Sequence, residues 1–164
     1  MFGKKSFPLA IDIGSHAVKL VQLVQGKNGT SLGRLGMASL AYGAVSDGAV
    51  LEHEEVMRAV EELVSAEKIK EKKVAVGISG KAAIIKTILV PPAEGIAAEE
   101  AVAAEADQIL PFSIDEARLR SQKIRKVEVD GETMDEYLII AVRKKAIADT
   151  IDLFKHLKFE PMLV

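Results

Sequence analysis

The stretch Leu9-Ala-Ile-Asp-Ile-Gly-Ser-His-Ala-Val-Lys-Leu-Val-Gln-Leu23 sets an Asp12-Ile-Gly-Ser15 turn between two apolar runs and places Lys19 four residues beyond the serine. An apolar run that opens into Gly14 and Ser15 brings backbone N–H groups close to whatever lies above the turn, and a glycine there leaves an anion's approach unobstructed. Asp12 supplies a carboxylate suited to magnesium and its waters, and Lys19 a point positive charge. Such an arrangement grips phosphate. The competing reading is an ordinary polar hairpin turn, with Lys19 a solvated strand residue. The rest of the chain separates the two.

Working outward, Phe7 to Ile13 reads as a buried strand, and Gln25-Gly-Lys-Asn-Gly29 as hairpin-closing turn chemistry. Between them His16, Lys19, Gln22 and Gln25 recur at a helical interval, whereas Val18, Val21 and Val24 favour a strand. The span Glu52 to Lys68 predicts a helix: Val56, Val60, Leu63 and Val64 form one stripe, with glutamates in the first turn and lysines in the last to suit the helix dipole. Val74 to Ile78 returns as a buried strand. Beyond Gly80, Ala83 to Val90 reads as a strand stopped by Pro91-Pro92, and Ile96 to Leu110 as an Ala-rich helix stopped by Pro111. Arg118 to Val129 and Met134 to Val142 flank Asp130-Gly131 and predict a hairpin. Lys144 to Leu157 then predicts a helix with Ile147, Ile151 and Phe154 on one side.

Composition narrows the function classes. The 164 residues suffice for one core or two small ones, and 49% hydrophobic residues with no Trp and 4% aromatics imply a largely aliphatic interior. A formal charge of -2 gives no basic field to draw the chain to nucleic acid. The absence of cysteine excludes disulfides and thiolate metal sites. No apolar run approaches the roughly 18 to 20 residues that a membrane span requires, so membrane association is expected only through a partner. Gly26-Lys27 and Gly80-Lys81 lack both the upstream glycine and the following Ser or Thr of a Walker loop. Gly77-Ile-Ser-Gly-Lys81 lacks the final glycine of a hydrolase elbow, which leaves Ser79 a strand-end hydrogen-bonding residue. His16, His53 and His156 share no metal-ligand spacing. The run Arg118, Arg120, Lys123, Arg125, Lys126 reads as a solvated hairpin face, with a contact surface for an acidic partner as the sharper alternative.

The Asp12-x-Gly-Ser turn resembles the phosphate-1 motif of the actin-like ATPases, the superfamily of actin, Hsp70, hexokinase and FtsA. Further segments stand in the order seen in one branch of it, the PilM-like family of type IV pilus assembly proteins. These are Val74-Ala-Val-Gly-Ile-Ser-Gly80, Ile84-Ile-Lys-Thr-Ile-Leu-Val-Pro91, Gln108-Ile-Leu-Pro-Phe112 and Glu136-Tyr-Leu-Ile-Ile-Ala-Val142. Together they cover nearly the whole chain. The resemblance implies an α/β fold, with an actin-like (ribonuclease H-like) subdomain 1A over residues 1–80 to which 160–164 return. Over residues 81–159 it implies an inserted subdomain 1C of β-α-β-β-α order. In the family a second large lobe with another Asp-containing phosphate loop follows.

What the resemblance implies for function is a cytoplasmic, nucleotide-binding scaffold at the inner face of the bacterial inner membrane. Its cofactors are ATP and Mg2+, held at Asp12, Gly14, Ser15, His16 and Lys19 with Asp12 toward the metal, and bound weakly or not at all without the second lobe. His16 stands where relatives often have a small or hydroxyl residue, so its backbone N–H can serve but a side-chain hydroxyl contact is lost. The implied partner is the cytoplasmic N-terminal peptide of a PilN-like inner-membrane protein, alongside other proteins of the type IV pilus inner-membrane complex. No catalytic residue is assigned, and any ATPase activity belongs to a full-length form. Two alternatives stay open: an FtsA-like, membrane-associated filament-forming ATPase, and a GspL-like interaction domain without nucleotide binding. Retention of Asp12, Gly14 and Lys19 argues against the second.

Overall fold

The computed structural model describes residues 5–78 and 80–163, so the expectations placed on Ser79 and Val164 lie outside the described residues. Along the chain run β1 (Lys5–Ser6), β2 (Leu9–Ile13), β3 (Ala17–Gly26), β4 (Gly29–Ser39), β5 (Val45–Ser46), β6 (Ala49–Val50), α1 (His53–Ala66) and β7 (Lys73–Val76). There follow β8 (Ala83–Val90), α2 (Gly95–Ile109), β9 (Ala117–Val129), β10 (Glu132–Arg143), α3 (Lys144–His156) and β11 (Glu160–Leu163). Two compact units result. The first holds the chain up to Gly80 together with Ile147 onward, and the second holds Lys81–Ala146.

In the first unit β3 settles as a strand, because β-branched residues at Val18, Val21 and Val24 pack well on a pleated surface. It pairs antiparallel with β4 on one edge and with β1 and β2 on the other. The two short strands are one run interrupted at Phe7-Pro8, where the Phe7 N–H still reaches the Leu23 carbonyl at 3.1 Å. Parallel pairing of β2 with β7, and of β7 with β11, completes the sheet. Alternation along β2 buries Leu9 and Ile11 and exposes Ala10 and Asp12, while β3 buries Val18 and Leu20 and exposes Lys19. Asp12 and Lys19 therefore share the sheet face opposite the core.

That core is built from Leu9, Ile11, Val18, Leu20, Val74 and Val76 of the sheet with Val56, Ala59, Val60 and Leu63 of α1. Leu153 and Phe154 of α3 complete it with Leu157 and Phe159, the two phenylalanine rings meeting edge-on at 6.3 Å and 68°. Burying a side chain as large as Phe154 completely contributes about 2 to 3 kcal/mol, enough to assign α3 to this core. Here the structure corrects the expected partition. The inserted unit was expected to run from residue 81 to 159, but its end lies at Ala146, because the apolar face of α3 belongs to the first core.

A second correction concerns α1. The glutamates Glu54 and Glu55 do occupy its first turn, but the helix ends at Ala66 with no basic residue in the last turn. Lys68 lies beyond it in the left-handed region, φ 52°, where it lets the Ile69 N–H donate to the Val64 carbonyl at 2.9 Å.

The second unit is a three-stranded antiparallel sheet in the order β8-β10-β9 with α2 laid on one face. Asp130 (φ 52°) and Gly131 (φ 84°) form the two-residue turn between β9 and β10, the left-handed pair that matches strand twist. Val102, Ala106 and Leu110 pack with Ile88, Val90, Ile139 and Ala141. Helix α2 stops where Leu110 takes ψ 141°, as a residue before proline must.

Candidate functional site

The β2–β3 hairpin brings the sequence-predicted residues together at one exposed tip. The turn closes through Gly14, whose N–H donates to the Ala17 carbonyl at 3.0 Å, and the His16 carbonyl accepts from the Leu40 N–H at 2.9 Å. A Cβ on Gly14 would meet the Ala17 oxygen at 3.2 Å and Lys19 Nζ at 3.9 Å, so a side chain there would have to push the Ala17 carbonyl back by a few tenths of an ångström, and glycine is favoured by close approach and not by its torsion angle. Asp12 and Lys19 are cross-strand partners, and Lys19 Nζ donates to Asp12 Oδ2 at 3.0 Å with both side chains about half exposed, 53% and 55%. Ser15 Oγ lies 2.9 Å from His16 Nδ1.

Among the described residues the Ser15 and His16 backbone N–H groups meet no protein acceptor. The tip thus offers two unpaired N–H donors, an ammonium and a carboxylate within one turn, a donor set that fits phosphate together with a hydrated divalent cation. No group of three His, Cys, Asp or Glu side chains gathers among the described residues. Asp12 accordingly presents a single carboxylate, which matches Mg2+, whose remaining ligands are waters and substrate phosphates. ATP bound here would place its phosphates against the Ser15 and His16 N–H groups and Lys19, and its Mg2+ at Asp12. Gly14 N–H is already committed to Ala17 and contributes shape only.

Two further polar arrangements escaped the sequence reading. On α1, Arg58 donates to both carboxylate oxygens of Glu55 at 3.0 Å and pairs with Glu62, while Glu55 also accepts the Ala41 N–H at 3.3 Å. The Arg58 guanidinium, helped by the Ala41 N–H, holds the Glu55 carboxyl below the usual carboxylate range, and the two glutamates raise Arg58. The cluster ties the segment after β4 to the helix. In the second unit Asp135 is 1% exposed, its Oδ2 accepting from Lys123 Nζ at 2.5 Å and its Oδ1 meeting no partner among the described residues. Lys123, read from sequence as part of a solvated face, is the counter-ion of a buried carboxylate. The available signal was Asp135 at a core-face position of β10, two residues before Tyr137 and four before Ile139.

Among solved structures the chain is similar to one described as the PilM–PilN type IV pilus biogenesis complex, with a TM-score of 0.78 and 26% identity over 96% of this chain and 46% of that one. It is also similar in fold to the cytoplasmic domain of EpsL, an inner-membrane component of the type II secretion system of Vibrio cholerae. There the TM-score is 0.55 and the identity 13%, over 96% of this chain and 55% of that domain. The chain thus spans about half the length of each. No curated protein matches it. The family model for the type IV pilus assembly protein PilM matches residues 10–164, which include the Asp12 turn and both units of the actin-like α/β fold. The chain belongs to the PilM family of type IV pilus assembly proteins.

Proposed function

We propose that the chain serves as a nucleotide-binding scaffold of the type IV pilus machinery, held at the cytoplasmic face of the inner membrane by the N-terminal tail of a PilN-like protein. The observation that carries the docking half of this reading is the similarity, over 96% of the chain, to a PilM–PilN complex. The nucleotide half rests on the hairpin tip, where the unpaired Ser15 and His16 N–H groups stand beside Lys19 and Asp12. Among the described residues no helix is long and apolar enough to cross a membrane. In this reading the second unit corresponds to the family's inserted subdomain 1C, and all of α3 beyond its first three residues belongs to the first unit.

Bound nucleotide contributes shape in this reading. The Asp12–Lys19 pair is neutral and exposed, worth at most about 1 kcal/mol as an ion pair, so Mg2+ and phosphate can take over its two members at small cost. One hairpin tip buries little of a nucleotide, and the 164-residue chain should bind Mg-ATP more weakly than about 1 μM. Calorimetry checks this, and a sub-micromolar constant contradicts it. The docking half is tested by fractionation: expressed with its organism's PilN-like membrane protein, the chain should sediment with membranes, and expressed alone or with that protein lacking its cytoplasmic tail it should stay in the supernatant. Sedimentation that ignores the tail overturns the docking.

A further inference from the structure

The two edges of the second unit's sheet differ in a way that points to a partner. Strand β9 carries Arg118, Arg120, Lys123, Arg125 and Lys126, the dense charge with which edges resist pairing. Strand β8, Ala83-Ile-Ile-Lys-Thr-Ile-Leu-Val90, has one charge, Lys86, and no proline. It pairs only with β10 among the described residues, which leaves its outer row of N–H and C=O groups open. Ile85 is 62% exposed, and Lys86 and Thr87 are exposed beside it. Beside this edge lies a cleft of about 550 Å³ lined by Lys86, Ile88, Leu89, Glu105 and Ile109, among others. Neither Lys86 nor Glu105 has an ion-pair partner among the described residues.

From this edge we infer that the chain dimerises, the occupant being a second copy paired antiparallel through its own β8. A two-fold axis normal to the sheet keeps each face on its own side only if it passes through a residue, because the side-chain period is two. The longest overlaps place that axis at Lys86 or at Thr87. At Lys86 two ammonium groups would be stacked, which like-charge repulsion disfavours. At Thr87 the two threonines face each other, and Ile85 meets the partner's Leu89 on the open face. In that register Lys86 lies opposite the partner's Ile88, on the side where Glu105 lines the cleft, so each unpaired cation is brought toward an unpaired anion. The charged β9 edges prevent the joined sheets from growing further.

A chain without cysteine lets a single introduced thiol report the register. With the axis at Thr87, Thr87→Cys sets two sulfur-bearing residues directly opposite, about 4.5 to 5.5 Å between Cα atoms and within disulfide range. Ile85→Cys sets them about 13 Å apart, four residues along the strand and out of range. Sedimentation velocity of the unmodified 164-residue chain should show a concentration-dependent species of twice the monomer mass. With oxidised glutathione, Thr87→Cys should cross-link and Ile85→Cys should not. Ile85→Lys should raise the dimer dissociation constant about tenfold or more by setting a charge against the partner's Leu89. A monomer at every concentration overturns the inference, as does a dimer in which Ile85→Cys links as readily as Thr87→Cys.

Discussion

Asp135 and Lys123 form an unequal pair, and the inequality predicts which of them the fold needs. The carboxylate is 1% exposed and cannot reach water, whereas the lysine is 39% exposed and its flexible stem can turn outward. Lys123→Met should therefore strand a buried charge and destabilise by about 2 to 3 kcal/mol, less than for a fully buried pair because the lysine is partly solvated. Asp135→Leu should be neutral or stabilising, since it also removes the unpartnered Oδ1. Chemical denaturation of both variants measures the asymmetry, and equal losses contradict it. Glu55 offers a second test. Its carboxyl is depressed by Arg58 and by the Ala41 N–H, so what it adds to stability is fully present above the ordinary carboxylate pKa and is lost as pH falls through the lowered folded value. A carbon-13 titration should place the Glu55 midpoint below 4.5, and Arg58→Ala should move it upward. An unmoved midpoint in that variant would assign the depression elsewhere.

Element boundaries follow from turn chemistry that the sequence partly displays. Asp130-Gly131 declares its hairpin, and Pro111 its helix end, because each restricts the backbone by itself. Strand β3 is less legible: its polar residues repeat at a helical interval, and β-branched side chains with two-sided pairing decide the matter. The helix ends after Ala66 and His156 carry no local signal, since lysines stand where glycine is usual. Lys68 and Lys158 take φ of 52° and 60°, and the latter lets the Phe159 N–H reach the Phe154 carbonyl at 2.9 Å. Replacing such a lysine by glycine relieves Cβ strain and adds some unfolded-state freedom. Lys158→Gly should therefore raise stability by about 0.5 to 1 kcal/mol, read as an upward shift in melting temperature. A drop would mean that the lysine side chain contributes more than its backbone costs.

At the scale of the molecule, order along the chain was readable and attribution was not. The β-α-β-β run after Gly80 is visible in periodicity and breakers, but α3 follows it without a linker, and only burial of Leu153, Phe154 and Leu157 assigns it to the first core. The hairpin tip was legible for the opposite reason. Its residues are adjacent in sequence, so antiparallel pairing alone sets Asp12 against Lys19 and leaves the Ser15 and His16 N–H groups at the tip. Buried polar partners such as Lys123 and Asp135 depend on register across a bulged ladder, which composition does not reveal. The proposed role of this chain, a pilus scaffold that holds a PilN-like tail, is tested by a calorimetric titration with a synthetic peptide of that tail. A saturable isotherm with one peptide per chain, unchanged when the peptide is anchored in a nanodisc, is the predicted result; a folded chain that shows no heat and no binding with or without Mg-ATP would contradict it.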